Sequence, residues 1–389
     1  MMRYLKYALH GLKPSNFYSI SSISLRNFLN KKYNAYSNDA HIKAAMEWLA
    51  NAQKAAGDNG VSAMYSMIEG WAPSYVETTG YIIPTFFNYA EISKNPAYRK
   101  MAVEMAEFEL KNQLPSGAFP GAGRKDTPIV FNTGQVVFGL CRAYEETKDE
   151  KYKNSAEKAA DWLVSVMDKD GCWRKNDYLN HIHTYNTRTA WALLNVHKIT
   201  ANEKYKESAA KNIDWALTQQ QENGWFENNG FFPEQEPLVH TIAYSIRGIL
   251  ESAIYLRKKK YLESAVKAAK PLAEAQREDG SLAGSFNSEW KSSVKWSCLT
   301  GNSQMSIIWQ KLYIITKDEK FLDAAKKSNA FMKGMQDINS PNPAIRGAIP
   351  GAFPIYGWYA PLCFPNWAAK FFADALMLES GRKIAEKLA

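Results

Sequence analysis

The sequence has few cysteines, no long apolar run and no acidic residue before Asp39. Its four cysteines are widely separated, which excludes the closely paired thiols of zinc and redox motifs. No run of about 18 apolar residues occurs, and the N-terminus lacks the apolar core of a secretory signal. We therefore expect a cytoplasmic protein without a membrane span, and we predict no metal and no cofactor.

Residues 1–38 form a basic N-terminal extension that carries six of the nine excess positive charges of the chain. The segment also holds several aromatic and leucine residues, a composition that suits peripheral contact with an anionic membrane or docking on a protein. A soluble extension with no bound partner and an organelle-targeting presequence are the alternatives. We place the main domain at residues 39–389.

The main domain repeats one pattern six times: a charged amphipathic helix, a loop with glycine and aromatic residues, a more apolar helix and a short turn. Thr79, Thr133, Thr187 and Thr241 mark the start of the apolar helices at a constant spacing of 54 residues. A glycine follows each amphipathic helix, where we expect a left-handed helix cap. These glycines are Gly60, Gly117, Gly171, Gly224, Gly280 and Gly347. The repeat predicts an all-α fold, an (α/α)6 toroid of six helical hairpins.

The long links of this pattern run from the amphipathic to the apolar helices, and long loops in a compact domain are usually functional. They converge where the N-termini of the apolar helices meet, and these termini favour negative charge. Their aromatic residues can stack on the apolar faces of sugar rings. Dispersed basic residues in the same loops favour a uronate. An acidic glycan is therefore the expected ligand.

The densest polar cluster of the sequence lies in the third repeat. Histidine and tyrosine can move a proton, and arginine can hold a carboxylate through two parallel hydrogen bonds. We predict catalytic roles for His183, Tyr185 and His240, and substrate contacts for Arg188, Trp225, Tyr356, Arg346 and Glu77. Hydrogen-bonded loop histidines, and a metal held by His181 and His183, are the alternatives.

Other interpretations of the loops remain open. Asn132, with Gln135 three residues later, has the pattern of a helix N-cap. Hydrolysis needs two carboxylates across a sugar, and the long loops supply several. They are Glu77, Asp126, Asp177, Glu227, Glu234, Glu236 and Glu289. Nucleic acid is not expected, because the basic residues are dispersed among carboxylates and no recognition motif is found.

The six-fold pattern over about residues 40–380 resembles the six-hairpin glycosidase superfamily, whose toroid hosts hydrolases, lyases and sugar epimerases. The stretch 131–149, from Phe131-Asn132-Thr133-Gly134-Gln135 onward, resembles the inner-helix segment of glucuronyl C5-epimerases. The stretch 346–370 resembles proteins of bacterial surface-polysaccharide assembly. Terpene cyclases share an α/α toroid, but the Asp-rich acid motif that starts their carbocation chemistry is absent from this sequence.

Together these observations favour a carbohydrate-active enzyme that works on an acidic glycan in surface-polysaccharide biosynthesis or remodelling. The His, Tyr and Arg cluster favours epimerisation or lyase-type proton abstraction. A glycoside hydrolase with a carboxylate pair and a non-catalytic glycan-binding or assembly component are the alternatives.

Overall fold

The structure is a computed structural model that describes residues 14–381, apart from the side chains of residues 14–17, 124 and 125. Thirteen α-helices lie in this range. They are α1 Pro14–Phe28, α2 Asn38–Ala56, α3 Val76–Ser93, α4 Pro96–Asn112, α5 Val130–Thr147, α6 Glu150–Ser165, α7 Thr187–Thr200, α8 Glu203–Thr218, α9 Val239–Leu256, α10 Lys259–Glu274, α11 Leu299–Thr316, α12 Glu319–Lys333 and α13 Asn366–Glu379. Within residues 14–381, no helix combines the length and apolarity needed to cross a bilayer.

Seven strands of two to five residues lie in the loops between the helices. They are β1 Met64–Ser66, β2 Gly70–Trp71, β3 Pro120–Gly121, β4 Arg124–Pro128, β5 Ser297–Cys298, β6 Ala352–Phe353 and β7 Cys363–Pro365. They pair antiparallel in the orders β2-β1-β7, β3-β4 and β5-β6. Such short strands leave the all-α class unchanged.

Two-residue turns join each apolar helix to the next amphipathic helix. In the first of these turns, Lys94 adopts a left-handed conformation and ends α3. Asn95 then caps α4, because its side chain accepts a hydrogen bond from the backbone N–H of Ala97. Similar caps begin at Asp149, Asn202 and Asp318. The short turns therefore fold each apolar helix against the amphipathic helix that follows it.

The described residues divide into two compact units. The second unit, residues 75–275 and 286–291, holds four hairpins, α3/α4, α5/α6, α7/α8 and α9/α10. Its apolar helices α3, α5, α7 and α9 pack on one another in chain order. Nearly all residues in the first turns of these helices are buried, so the loops that precede them lie over a closed core.

The first unit, residues 14–74, 276–285 and 292–381, holds α1, α2, α11, α12 and α13. Here α11 pairs with α12, and α13 packs against α2 from the other end of the chain. The amide of Asn38, at the start of α2, donates hydrogen bonds to Glu379 and Ser380. The sixth hairpin is thus formed from two helices that are far apart in the sequence.

A glutamine clamp, shown by Gln220 after α8, links successive amphipathic helices. Its amide donates to the carbonyls of Gly224 and Ser264 and accepts from the Ser264 hydroxyl on α10. Gly224 has φ of 91°, and a Cβ there would lie 2.3 Å from the Lys267 carbonyl oxygen. Only glycine fits this approach. Gln113, Gln276 and Gln336 make corresponding contacts.

The glycine pattern is confirmed in part. Gly117, Gly171, Gly224, Gly280 and Gly347 all have φ between 82° and 92°. They are not helix caps, however, because each lies beyond its helix and lets the chain pass close to the neighbouring amphipathic helix. The prediction for Gly60 is wrong, since Gly57 holds the left-handed position after α2.

The described part of the N-terminal extension contacts the first unit. Ile23 is buried, the Asn27 side chain accepts from the backbone N–H of Ile355, and the N–H of Tyr33 donates to the Gly334 carbonyl. Lys32 forms an ion pair with Asp279. Residues 1–13 lie outside the described residues. We therefore expect the segment from Ile23 onward to contribute to the stability of this unit.

Candidate active site

Glu77 lies in the first turn of α3, at the start of an apolar helix in the second unit. Its carboxylate accepts a 2.5 Å hydrogen bond from the Tyr75 hydroxyl, and Tyr75 also receives a hydrogen bond from the Asn132 amide. Burial raises the pKa of Glu77 from 4.5 to about 7, against the opposing effects of Tyr75 and the Arg188 guanidinium. The Glu77 residue is half-buried and so retains some contact with solvent. It can therefore exchange a proton near neutral pH.

Phenols surround this carboxyl. Burial raises the pKa values of Tyr75, Tyr81 and Tyr185 well above the ordinary value, and the charge of Glu77 adds to each shift. Tyr244, on α9, lies beside Tyr81 and strengthens its shift. Tyr75, Tyr81 and Tyr185 are therefore protonated at neutral pH, and Tyr185 can donate a hydrogen bond toward a developing negative charge.

Arg188 lies on α7 beneath the same centre and is 1% exposed. Its Nε donates to the amide oxygen of Gln135 at 2.6 Å. The guanidinium carbon lies between 5.1 and 5.7 Å from the ring centroids of Tyr81, Phe138, Trp191 and Tyr244. Arg188 is therefore a buried charge, held by an amide and by aromatic faces, and its predicted contact with a substrate carboxylate remains a prediction.

His183 and Tyr185 form one stacked pair, with ring centroids 4.5 Å apart and planes 12° apart. The two ring nitrogens of His183 contact the carbonyls of Gly230 and Tyr178, at 3.0 and 2.9 Å. Burial lowers the pKa of His183. Through these contacts His183 holds two loop segments and orients Tyr185, and its catalytic role remains a prediction.

Two further predicted residues, His240 and Trp225, belong to the second unit. His240 is buried on α9, with its ring 4.5 Å from Tyr244 and 6.4 Å from Phe231. Trp225 is buried and packs at 5.2 Å against Trp290. Its contact with another tryptophan leaves less ring surface for a sugar than we expected.

Tyr356 and Arg346 belong to the first unit, unlike the other predicted site residues. Tyr356 is 55% exposed. Arg346 is also exposed, and its Nε donates to the Ser340 carbonyl at 2.7 Å. Their substrate-binding roles remain predictions.

A second carboxyl in the second unit, that of Asp177, has a similar electrostatic state. It is 1% exposed and accepts hydrogen bonds from the Asn186 amide and the Tyr178 backbone N–H. Burial nevertheless raises its pKa to about 7. Both Asp177 and Glu77 act on the pKa of Tyr185.

One sequence interpretation needs correction. Asn132 is not a helix cap, because its amide donates to Tyr75 and to the Pro120 carbonyl while Gln135 binds Arg188. In the described part of the chain, no group of three histidine, cysteine, aspartate or glutamate residues suited to a metal occurs. Sequence reasoning missed Tyr81 and Tyr244, which are hidden within apolar helical stretches.

Sequence comparison relates the chain to triterpene cyclases. The family model "Squalene-hopene cyclase C-terminal domain" matches residues 66–260. The squalene–hopene cyclase of Bradyrhizobium diazoefficiens is 26% identical over 163 residues, covering 40% of this chain and 24% of that protein. The lanosterol synthase of Saccharomyces cerevisiae is 27% identical over 221 residues, covering 52% and 27%. The chain thus spans about a quarter of each curated relative.

Solved structures of carbohydrate enzymes have the same fold. An unsaturated glucuronyl hydrolase from Bacillus sp. GL1, described as responsible for glycosaminoglycan degradation, aligns with a TM-score of 0.68 at 17% identity, covering 88% of this chain and 97% of that one. The cellobiose 2-epimerase of Bacillus thermoamylovorans aligns with a TM-score of 0.68 at 13% identity, covering 92% and 99%. The fold is therefore an all-α (α/α)6 toroid, which these enzymes share.

Proposed function

The chain belongs to the family of the squalene-hopene cyclase C-terminal domain, and because this scaffold hosts unrelated chemistries, we propose its reaction from the site itself. We propose a carbohydrate-active enzyme that acts on a uronate-containing poly- or oligosaccharide. The reaction is proton abstraction beside the uronate carboxylate, leading to epimerisation or β-elimination. The process is surface-polysaccharide biosynthesis or remodelling, in the cytoplasm.

The proposal rests on the raised pKa of the Glu77 carboxyl. A carboxyl with a pKa of about 7 is half ionised at neutral pH, which suits a general base that must also return a proton. As base, Glu77 would take the C5 proton, and the electron pair of that C–H bond would move onto the uronate carboxylate.

The surroundings of Glu77 suit the negative charge that this step creates. Protonated Tyr185 can donate a hydrogen bond, whereas Tyr75 donates its proton to Glu77 itself. The Arg188 charge and the N-termini of the apolar helices add positive potential. Returning a proton to the opposite face of C5 completes epimerisation, whereas loss of the C4 oxygen substituent completes elimination. Tyr185 and His240 remain our candidates for the second proton carrier.

Hydrolysis is the second candidate, favoured by Asp177. Its pKa of about 7 matches that of Glu77, and both carboxyls act on Tyr185. Two carboxyls in one region supply the acid and base that glycoside hydrolysis requires. This reaction would leave the C5 hydrogen untouched.

Cyclisation of a hydrocarbon, as the names of the curated relatives imply for those proteins, fits the site less well. Aromatic faces stabilise a carbocation only when they are free to approach it. Here the rings of Tyr81, Phe138, Trp191 and Tyr244 already lie around the Arg188 guanidinium, whose charge would repel a second cation.

The proposal is tested by incubating the protein with uronate oligosaccharides in deuterated water. We expect deuterium at C5, or an unsaturated uronate detected by its ultraviolet absorbance, with both signals lost in Glu77→Gln. New reducing ends without C5 exchange would establish the hydrolase instead. Formation of a cyclic product from squalene would instead show the activity named for the curated relatives. Binding of the glycan without turnover would support an assembly component.

The N-terminal extension is proposed to make the peripheral contact with a membrane or protein. Tyr18, Leu25 and Phe28 of α1 are 59–79% exposed, which gives this helix an apolar surface. Cosedimentation of the full chain and a chain lacking residues 1–36 with anionic vesicles tests the membrane contact, with neutral vesicles as the control.

A further inference from the structure

A cavity of about 600 Å³ lies within the second unit, between the loop at 180–183, the loop at 225–237, and Asn287 and Ser288. Its volume lies within the range of about 300–1,000 Å³ that is usual for small-molecule sites. None of the roles proposed for Glu77, Tyr75 or Arg188 uses this space. The cavity therefore calls for a ligand of its own.

The cavity wall combines aromatic and amide groups. Trp225, Phe226 and Phe232 line it, and Phe232 is 37% exposed, so its ring is accessible. Asn229 also lines it, although it is only 2% exposed. Its amide oxygen accepts a hydrogen bond from Ser245, which leaves the amide N–H groups for a ligand. Rings beside fixed amides match the apolar faces and hydroxyl rim of a sugar.

The carboxylates of the cavity wall have no lysine or arginine beside them in its described lining. They belong to Glu227, Glu234 and Glu236. His181 and His183 are the other titratable residues of the wall. Placing a carboxylate among three glutamates is unfavourable, because like charges at close range repel. The cavity therefore selects against a uronate.

The stacked His183 and Tyr185 link the cavity to the site of Glu77. His183 lines the cavity and contacts the carbonyl of Gly230 on its wall. Tyr185 stacks on His183, and the charge of Glu77 acts on its hydroxyl. The cavity and the Glu77 carboxyl thus share one pair of stacked rings as a common neighbour.

We infer that this cavity binds the sugar adjacent to the reacting uronate, and that this sugar carries hydroxyl, amide or amine groups but no carboxylate. The inference rests on the proposed function and narrows its substrate class. The substrate is a mixed glycan, in which uronates alternate with neutral or amine-bearing sugars, rather than a homopolymer of uronates.

The test compares binding of two probes by titration calorimetry with the full chain. One probe is a tetrasaccharide that alternates glucuronate with N-acetylglucosamine, and the other is tetragalacturonate. We expect the mixed probe to bind at least about tenfold more tightly, since a second carboxylate meets the glutamates. Phe232→Ala should lower the affinity for the mixed probe by about fivefold, because an accessible aromatic ring is lost.

Charge-neutral variants test the cause of the preference. Glu234→Gln combined with Glu236→Gln should tighten tetragalacturonate binding by about fivefold or more. The affinity for the mixed probe should stay within about twofold of that of the wild-type protein. Glu222→Gln is the matched control, because Glu222 belongs to the same loop region but does not line the cavity. Thermal unfolding confirms that each variant is folded.

The outcomes separate this inference from the proposed reaction. Equal binding of the two probes, or a preference that the double variant leaves unchanged, overturns the inference. A clear preference in a protein that never exchanges the C5 hydrogen of either probe supports the cavity assignment while rejecting the proposed reaction. Glu77→Gln should lose exchange yet keep the binding preference.

Discussion

The Nε atom of Arg188 lies 2.6 Å from the amide oxygen of Gln135, and this buried hydrogen bond joins α7 to α5 beneath the proposed catalytic carboxyl. The guanidinium lowers the pKa of Glu77, whereas burial raises it more strongly. Burial therefore dominates the pKa of Glu77, and the buried cation limits how far that pKa rises.

We predict that Arg188→Met shifts the pH dependence of turnover upward. Removing the cation leaves only the Tyr75 hydrogen bond to oppose burial, so the pKa of Glu77 should rise further above 7. The measurement is the apparent pKa from kcat/KM between pH 5 and 9. Arg142→Met is the control, because Arg142 is a buried arginine on α5 that pairs with Glu146 instead. Equal shifts in both variants would show that Arg188 acts only on stability.

Glu77 should also make folding pH-dependent. Its folded pKa of about 7 exceeds the ordinary value of 4.5, so the folded chain holds this proton more tightly than the unfolded chain. The resulting cost to stability develops as the pH rises from about 4.5 to 7 and is constant above that. Glu77→Gln should therefore raise Tm at pH 8 and leave it unchanged at pH 4. A variant that melts alike to wild type at both values would contradict the raised pKa.

The glutamine clamp should contribute measurably to stability. Gln220→Ala removes three hydrogen bonds to Gly224 and Ser264 and should cost about 2–3 kcal/mol in the free energy of unfolding. Gln221→Ala, at the exposed neighbouring residue, should cost less than about 0.5 kcal/mol. Urea unfolding of the two variants provides the comparison, and similar midpoints would rule out the clamp as a stabilising contact.

Gly224→Ala should be more damaging than Gly57→Ala. Both positions have positive φ, but a Cβ at Gly224 would meet the Lys267 carbonyl oxygen at 2.3 Å, whereas nothing lies within 4 Å of a Cβ at Gly57. Backbone strain alone costs about 1–3 kcal/mol, and the clash at Gly224 adds to it. Far-UV circular dichroism melts would reveal the difference. Equal losses would mean that φ, not the close approach, selects glycine.

The N-terminal segment should stabilise the first unit. Deleting residues 1–36 removes the burial of Ile23, the backbone contact of Tyr33 and the ion pair of Lys32, so Tm should fall by about 3–5 °C. Deleting residues 1–13 alone serves as the comparison for this loss. An unchanged Tm in the longer deletion would instead support the sequence expectation of an independent extension.

The repeat could be predicted from the sequence because successive hairpins carry the same residue type at corresponding positions. Thr79, Thr133, Thr187 and Thr241 all lie in the first turns of apolar helices and are fully buried, as the constant spacing indicates. The strands were missed because two to five residues are too few to show a period of two.

The site was only partly predictable, since its chemistry depends on contacts between repeats. Asn132 has the local pattern of a helix cap, yet Tyr75 of the preceding repeat competes for its amide. Tyr244 is indistinguishable in sequence from the apolar residues around it. The raised pKa of Glu77 arises from burial, which no spacing of residues expresses.

The pairing of α2 with α13 has a consequence for how the chain is made. Helix α13, which packs against α2, is synthesised more than 300 residues after it. The other five hairpins can form as soon as their two helices emerge, because a two-residue turn joins them. The nascent protein therefore carries one amphipathic helix whose apolar face lacks its α13 partner until that distant segment has been synthesised, and over this interval the uncovered face favours aggregation.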